Sequence, residues 1–177
     1  MTRRNPFWTL IAATSVLTAM TALSLIWPEA QARSFANKSP ASIVLDFTFN
    51  RPEFAFPMST VTQVRQLSSC DEILATDLAD TADAETIQTI ALTCGKLADQ
   101  ILNVTPTLSI AHLARAWGLQ ARGLTQQAKN SLLTAHSTAP NEGWLAARRL
   151  RLFFEMGVSV DLDLHHAAQK DAMIVLR

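Results

Sequence analysis

In TLSIAHLARAWGLQARGLTQQAKNSLLTAHSTAPNEGWLAARRLRLFFEMG, residues 107–157, small and apolar residues recur at steps of three and four. Ile110, Leu113, Ala114, Trp117 and Ala121 form one stripe and Ala128, Leu132 and Ala135 a second. Trp144, Ala146, Ala147, Leu150, Phe153 and Phe154 form a third. That spacing puts each set on one side of a helix. Gly123 and Gly157 stop the first and third helices, and Asn141 is placed to cap the third. Pro106 and Pro140 are 34 residues apart, and so are Gly123 and Gly157. Two helix-breaking residue types sharing one period indicate a helix-turn-helix unit used more than once. The fold class that follows is all-α, built from antiparallel helix hairpins stacked side by side.

Working upstream, Val64, Leu67, Cys70, Leu74 and Leu78 mark a helix over about 59–79, with Ser59 or Thr60 as its cap. Residues 80–83 read as a turn. Ile87, Ile90, Ala91, Cys94, Ala98 and Ile101 mark a second helix over about 84–103. Cys70 and Cys94 lie at similar distances on either side of the turn, so an antiparallel hairpin brings them level. In an oxidising compartment this predicts a Cys70–Cys94 disulfide; the alternative is two buried thiols packed as small hydrophobes.

The segment 7–27, FWTLIAATSVLTAMTALSLIW, carries no charge. As a helix it covers about 30 Å, the thickness of a bilayer's hydrocarbon core. Trp8 and Trp27 suit the two interfaces, and Arg3 and Arg4 favour a cytoplasmic N-terminus, which places the rest outside the cytoplasm. A cleaved signal peptide is the alternative, because Ala30-Gln31-Ala32 follows Pro28 as an A-x-A site. The uncharged run is longer than the roughly 7 to 15 residues of a usual signal core, which favours the anchor, although six Ser and Thr within it weaken that case. Residues 1–29 are thus an anchor or signal peptide. Residues 30–58 form a tether, or a short extension of the membrane helix, and then a phenylalanine-rich arm. Residues 59–177 are the helical domain. In the arm, Phe47, Phe49, Phe54 and Phe56 alternate on either side of Asn50-Arg51-Pro52, so the arm is expected to be extended and to lie in a groove of the helices, or else to form an exposed docking strip.

Composition bounds the function. The 177 residues are 49% hydrophobic and 17% charged with five Gly, enough for one helical domain beyond the N-terminal segment. Formal net charge is zero, so no basic field exists to hold nucleic acid. The charge is unevenly spread: residues 57–104 hold two basic and seven acidic side chains, a balance of −5, and residues 105–155 hold six basic and two acidic, a balance of +4. Such a split can orient partners, or reflect no more than solvated helix faces.

Reactive constellations are sparse. Leu164, Ala168, Ala172 and Leu176 mark a last helix, with Asp161 and Asp163 at its positive end. Asp161, Asp163 and His165, with His166 beside them, would converge on a metal from a strand but are spread around the axis of the expected helix. Asp77, Asp80, Asp83 and Glu85 lack the ordered ligands and Gly of a calcium loop and read as a solvated capping turn. No G-x-S-x-G, P-loop or H-E-x-x-H is present, and His112 and His136 have no evident partner, so an enzyme, a metal and a cofactor are not expected.

The 34-residue unit at 109–142 resembles the tetratricopeptide repeat: Ala116 in the first helix, Gly123 in the turn, Ala128, Leu132 and Ala135 in the second helix, and Pro140 closing it. A second unit begins at Gly143, with Gly157 at the turn, and Cys94, Ala98, Ile101 and Pro106 match the end of an earlier one. Arg115 and His112 depart from the pattern, standing where the repeat usually has a leucine and an aromatic. The resemblance implies a short α-solenoid whose first helices line a groove that binds proteins. Position by position, the groove would comprise Ile110, Leu113, Trp117, Gln120, Trp144, Ala147, Arg151 and Phe154; the helical stripes alone place Trp117 and Trp144 equally well in the core. The expected protein is a non-enzymatic adaptor. It would be held in a bacterial inner membrane by residues 7–27, with its domain in the periplasm. There it would bind another envelope protein, as accessory factors of envelope polysaccharide or secretion machinery do. The alternative is a cleaved, soluble periplasmic factor that binds cations or basic ligands through its acidic hairpin.

Overall fold

The computed structural model describes residues 6–76, 78–157 and 161–176. Arg3, Arg4 and Asp77, and the side chains of Trp8 and Asp80, lie outside the described residues. The described chain is helical and has no strand. Its elements are α1 (Pro6–Ala36), α2 (Pro40–Asn50), α3 (Thr60–Leu74), α4 (Leu78–Thr81), α5 (Ala84–Leu102), α6 (Ser109–Ala121), α7 (Thr125–Thr138), α8 (Gly143–Glu155) and α9 (Leu162–Val175).

Side chains chosen for the task cap several of these helices. Ser59 accepts from the Thr62 N–H at the start of α3, Asp83 from Thr86 at α5, and Asp161 from Leu164 at α9. Gly123 and Gly157 follow α6 and α8 with φ of 72° and 70°, the left-handed geometry that ends a helix cheaply only at glycine. Cys70 bonds Cys94, and Leu74 shares a groove wall with Ile87 and Ala91, so α3 and α5 run antiparallel. The Cα atoms of the disulfide are 6.0 Å apart.

The core runs from Ile43 and Phe47 on α2, through Leu67, Ile73, Ile90, Leu97 and Ile101, to Ile110 and Leu113, and on to Leu132, Leu145, Leu152 and Leu164. At its centre α5 and α6 touch backbone to backbone. A Cβ added to Gly118 would lie 2.7 Å from the Gly95 Cα and 3.0 Å from the Ala91 carbonyl oxygen. Two ion pairs join the acidic half of the chain to the basic half: Asp71 on α3 with Arg148 on α8, and Asp99 on α5 with Arg115 on α6. Part of the charge split expected to orient partners is therefore used inside the molecule.

Three expectations need correction. The arm is not extended throughout: residues 40–50 form α2, because Ser39 caps it and Pro40 occupies its first turn, the arrangement proline favours. Arg51 leaves the helix at φ 44°, and residues 52–57 after it form neither helix nor strand, with Phe54 packed on Phe35 and Phe47 at ring centroid distances of 4.3 and 5.5 Å. Phe54 and Phe56 are half-buried against the core, whereas Phe49 is 77% exposed. Second, the helix expected over 59–79 ends at Leu74, and Leu78–Thr81 is a separate short helix, α4, reaching into the stretch read as a turn. Of the two readings of residues 30–36, the extension holds, because α1 continues through Pro28 to Ala36. Third, the inward face of α8 is rotated from the one read in sequence: Leu145, Ala146, Arg149, Leu152 and Phe153 are buried, while Trp144, Ala147 and Phe154 are exposed. A fully buried arginine in the middle of that face broke the apolar pattern and hid it.

Candidate functional site

α3, α5, α6 and α8 enclose a groove of about 530 Å³. Leu74, Ile87 and Ala91 give it apolar walls, and Trp117, Gln120, Arg151 and Glu155 converge on it from α6 and α8. Gln120 Oε1 is shielded from solvent and accepts no hydrogen bond. Arg151 holds Glu155 at 3.1 Å across one turn of α8, a solvent-facing pair at the groove's rim.

The wall behind the groove is a polar joint that sequence reading missed. Asp71 is fully buried on α3; the Trp117 indole N–H donates to its Oδ1 at 3.2 Å and Arg148 bonds its Oδ2. Burial pushes the Asp71 carboxyl above its usual range, against the opposing pull of Arg148 and the Trp117 bond. Arg148 also stacks over the Trp144 ring, 5.4 Å from its centroid. Trp117 is thus mainly core, with one edge at the groove.

Of the eight residues expected to line a binding surface, Trp117, Gln120 and Arg151 come together in this groove. Ile110 and Leu113 are 2% and 0% exposed and belong to the core behind it. Trp144, Ala147 and Phe154 lie exposed on α8, outside the groove's lining.

A second polar joint holds the C-terminal helices. Arg149 makes a two-pronged bond to Asp171, Nε to Oδ2 at 2.8 Å and Nη2 to Oδ1 at 2.7 Å, with both side chains buried. Its Nη1 donates to the Ala135 and Ala139 carbonyls at the end of α7. His136, read as lacking a partner, has Nδ1 3.0 Å from Asp171, and His112 has Nε2 2.8 Å from the Pro106 carbonyl oxygen. The joint ties α7, α8 and α9 together.

The N-terminal helix has its own anchor point on the domain. Glu29 Oε2 accepts from the N–H groups of Met58 and Ser59 at 2.8 and 3.1 Å, and Oε1 from the hydroxyls of Ser59 and Thr62 at 2.7 and 2.6 Å. A carboxylate at the start of α3 meets the positive end of its dipole and its unpaired N–H groups. Ala32, one turn on, is 0% exposed. From Ile11 to Trp27 the described side chains of α1 are exposed, and the helix is long and apolar enough to cross a membrane or to be a signal sequence.

Near the acidic turn, Thr86 hydrogen bonds hold the Asp83 carboxyl below its usual range, and Glu85 pairs with Arg51. Among the described residues no three His, Cys, Asp or Glu side chains are grouped to hold a metal ion. In comparisons with family models, curated proteins and solved structures, nothing matches this chain.

Proposed function

We propose that this chain is a membrane-anchored adaptor whose stacked helix hairpins, tetratricopeptide-like in arrangement, bind another envelope protein outside the cytoplasm without catalysing a reaction. The observation that carries the reading is the continuity of α1: its bare apolar length leads without a break into Glu29 and Ala32, which are part of the domain's own packing. A signal peptidase acting on Ala30-Gln31-Ala32 would cut after Ala32 and remove the carboxylate that caps α3. Retention of α1 is the reading consistent with that arrangement. The Cys70–Cys94 disulfide supports an oxidising compartment. The groove supports protein binding, because an apolar trough with a tryptophan edge, an unbonded amide oxygen and an arginine at its rim supplies the residue types that concentrate interface energy.

The test has two readouts on one sample. The intact mass of the chain in carbonate-washed membranes should correspond to an uncleaved N-terminus. A photo-reactive phenylalanine at position 120 should crosslink to one envelope protein, and Arg151→Glu should suppress the crosslink. A soluble chain starting at Arg33, or no crosslink dependent on Arg151, would overturn the reading.

A further inference from the structure

α1 leaves its exposed apolar length at Trp27, and Glu29 follows two residues later, about 3 Å along the axis. Through four bonds from residues 58–62 Glu29 holds the beginning of α3 at that level. Two large apolar side chains stand exposed at this beginning of α3, Met58 at 57% and Val61 at 64%, and Ile26 at 62% and Trp27 at 64% stand exposed on α1 just before Glu29. Ile26, Ala30 and Met58 line a cleft between α1 and the start of α3, and Arg33 borders it. Cations sit one turn further along each helix: Arg33, four residues after Glu29 and paired with it through Nε at 3.1 Å, its side chain otherwise largely exposed, and the exposed Arg65 four residues after Val61 on the same face of α3. Apolar side chains at one level and arginines a turn beyond match the layering of acyl chains and phosphates in a bilayer interface.

We infer that Met58 and Val61 dip into the bilayer interface, so that the domain rests on the lipid surface instead of swinging from its anchor. The inference rests on the reading of α1 as a retained span, because only then does the lipid interface lie at Trp27. The occupant is phospholipid, its acyl region against Met58 and Val61 and its phosphates near Arg33 and Arg65.

The test uses the full chain in phosphatidylcholine–phosphatidylglycerol vesicles, with a nitroxide on single cysteines introduced as Met58→Cys or Val61→Cys; the native cysteines are bonded to each other and do not take the label. Leu17→Cys in the apolar length and Gln126→Cys, at an exposed position of α7, serve as references. Collision with lipid-soluble oxygen, relative to a water-soluble nickel chelate, should be several-fold higher at 58 and 61 than at 126, and should approach the value at 17. If 58 and 61 behave like 126 while 17 stays oxygen-favoured, the domain stands off the membrane and the inference fails alone. If 17 also reports water, the span itself fails and takes the inference with it.

Discussion

At the scale of single residues, the buried ion pairs decide more than the surface ones. Arg149 and Asp171 lie together in the interior, and removing Asp171 leaves the buried Arg149 guanidinium without its counter-ion. Asp171→Ala should therefore destabilise the fold by about 3–5 kcal/mol in urea unfolding. Asp71 behaves differently, because burial holds its carboxyl above the ordinary range even beside Arg148. The folded chain thus binds this proton more tightly than the unfolded chain does. Its contribution to stability is fully present below the unfolded value near 3.8 and is lost as pH rises through the folded value. Asp71→Asn keeps an oxygen for the Trp117 N–H and needs no charge. At pH 7 it should melt no lower than the parent, whereas Asp71→Ala should melt lower by the loss of both partners. A large drop for the Asn variant would show that the charged pair with Arg148 is net stabilising. None of these buried polar groups was legible in sequence, since Arg149 and Asp171 look like any solvated helix charges until the face they sit on is known.

At the scale of elements, the α5–α6 crossing depends on two glycines that no periodicity singles out. Gly118→Ala would drive a Cβ into the backbone of α5, where neither the Gly95 Cα nor the Ala91 carbonyl can yield as a flexible side chain could. The expected cost is about 1–3 kcal/mol from overpacking, read as a lower melting temperature. The Cys70–Cys94 bond joins α3 to α5 and closes a loop with a separation of 24 residues. Its removal by paired Ser substitution should cost about 3 kcal/mol, and the parent should lose a similar amount in reductant. Here the sequence was informative: spacing around the turn located the cysteines level with each other, and Gly123 and Gly157 announced the ends of α6 and α8. It misled where local signals competed. The Phe alternation over 47–56 outweighed the Ser39-Pro40 helix start, and Trp144 drew the α8 stripe a step away from Leu145, Arg149 and Leu152. Of the candidate site, Trp117 was legible from the α6 stripe, whereas Gln120 and Arg151 came only from the repeat resemblance, which also put Trp144, Ala147 and Phe154 in a groove they do not line. Glu29 was not, since its partners lie about 30 residues away in sequence.

At the scale of the molecule, the question is whether residues 28–32 are a dispensable leader or part of the domain, and it can be asked without a membrane. A chain starting at Pro28 keeps Glu29 and gives α1 a proline at its first position, where the missing N–H costs nothing. A chain starting at Arg33 is what cleavage after Ala32 would leave. The second chain loses a carboxylate that accepts four hydrogen bonds from residues 58–62, two of them from backbone N–H groups at the start of α3, and loses the packing of Ala32. Hydrogen bonds to a charged group contribute about 1.5–3 kcal/mol, so the shorter chain should unfold at lower urea with a deficit of about 2 kcal/mol or more. Glu29→Ala in the longer chain should reproduce most of that deficit. Its loss exposes Met58 and Ser59 N–H groups rather than deleting a segment, so agreement between the two experiments would assign the effect to the cap. Equal stability of the two chains would mean that α3 starts as well without Glu29, and the domain would then be free to exist as a released factor.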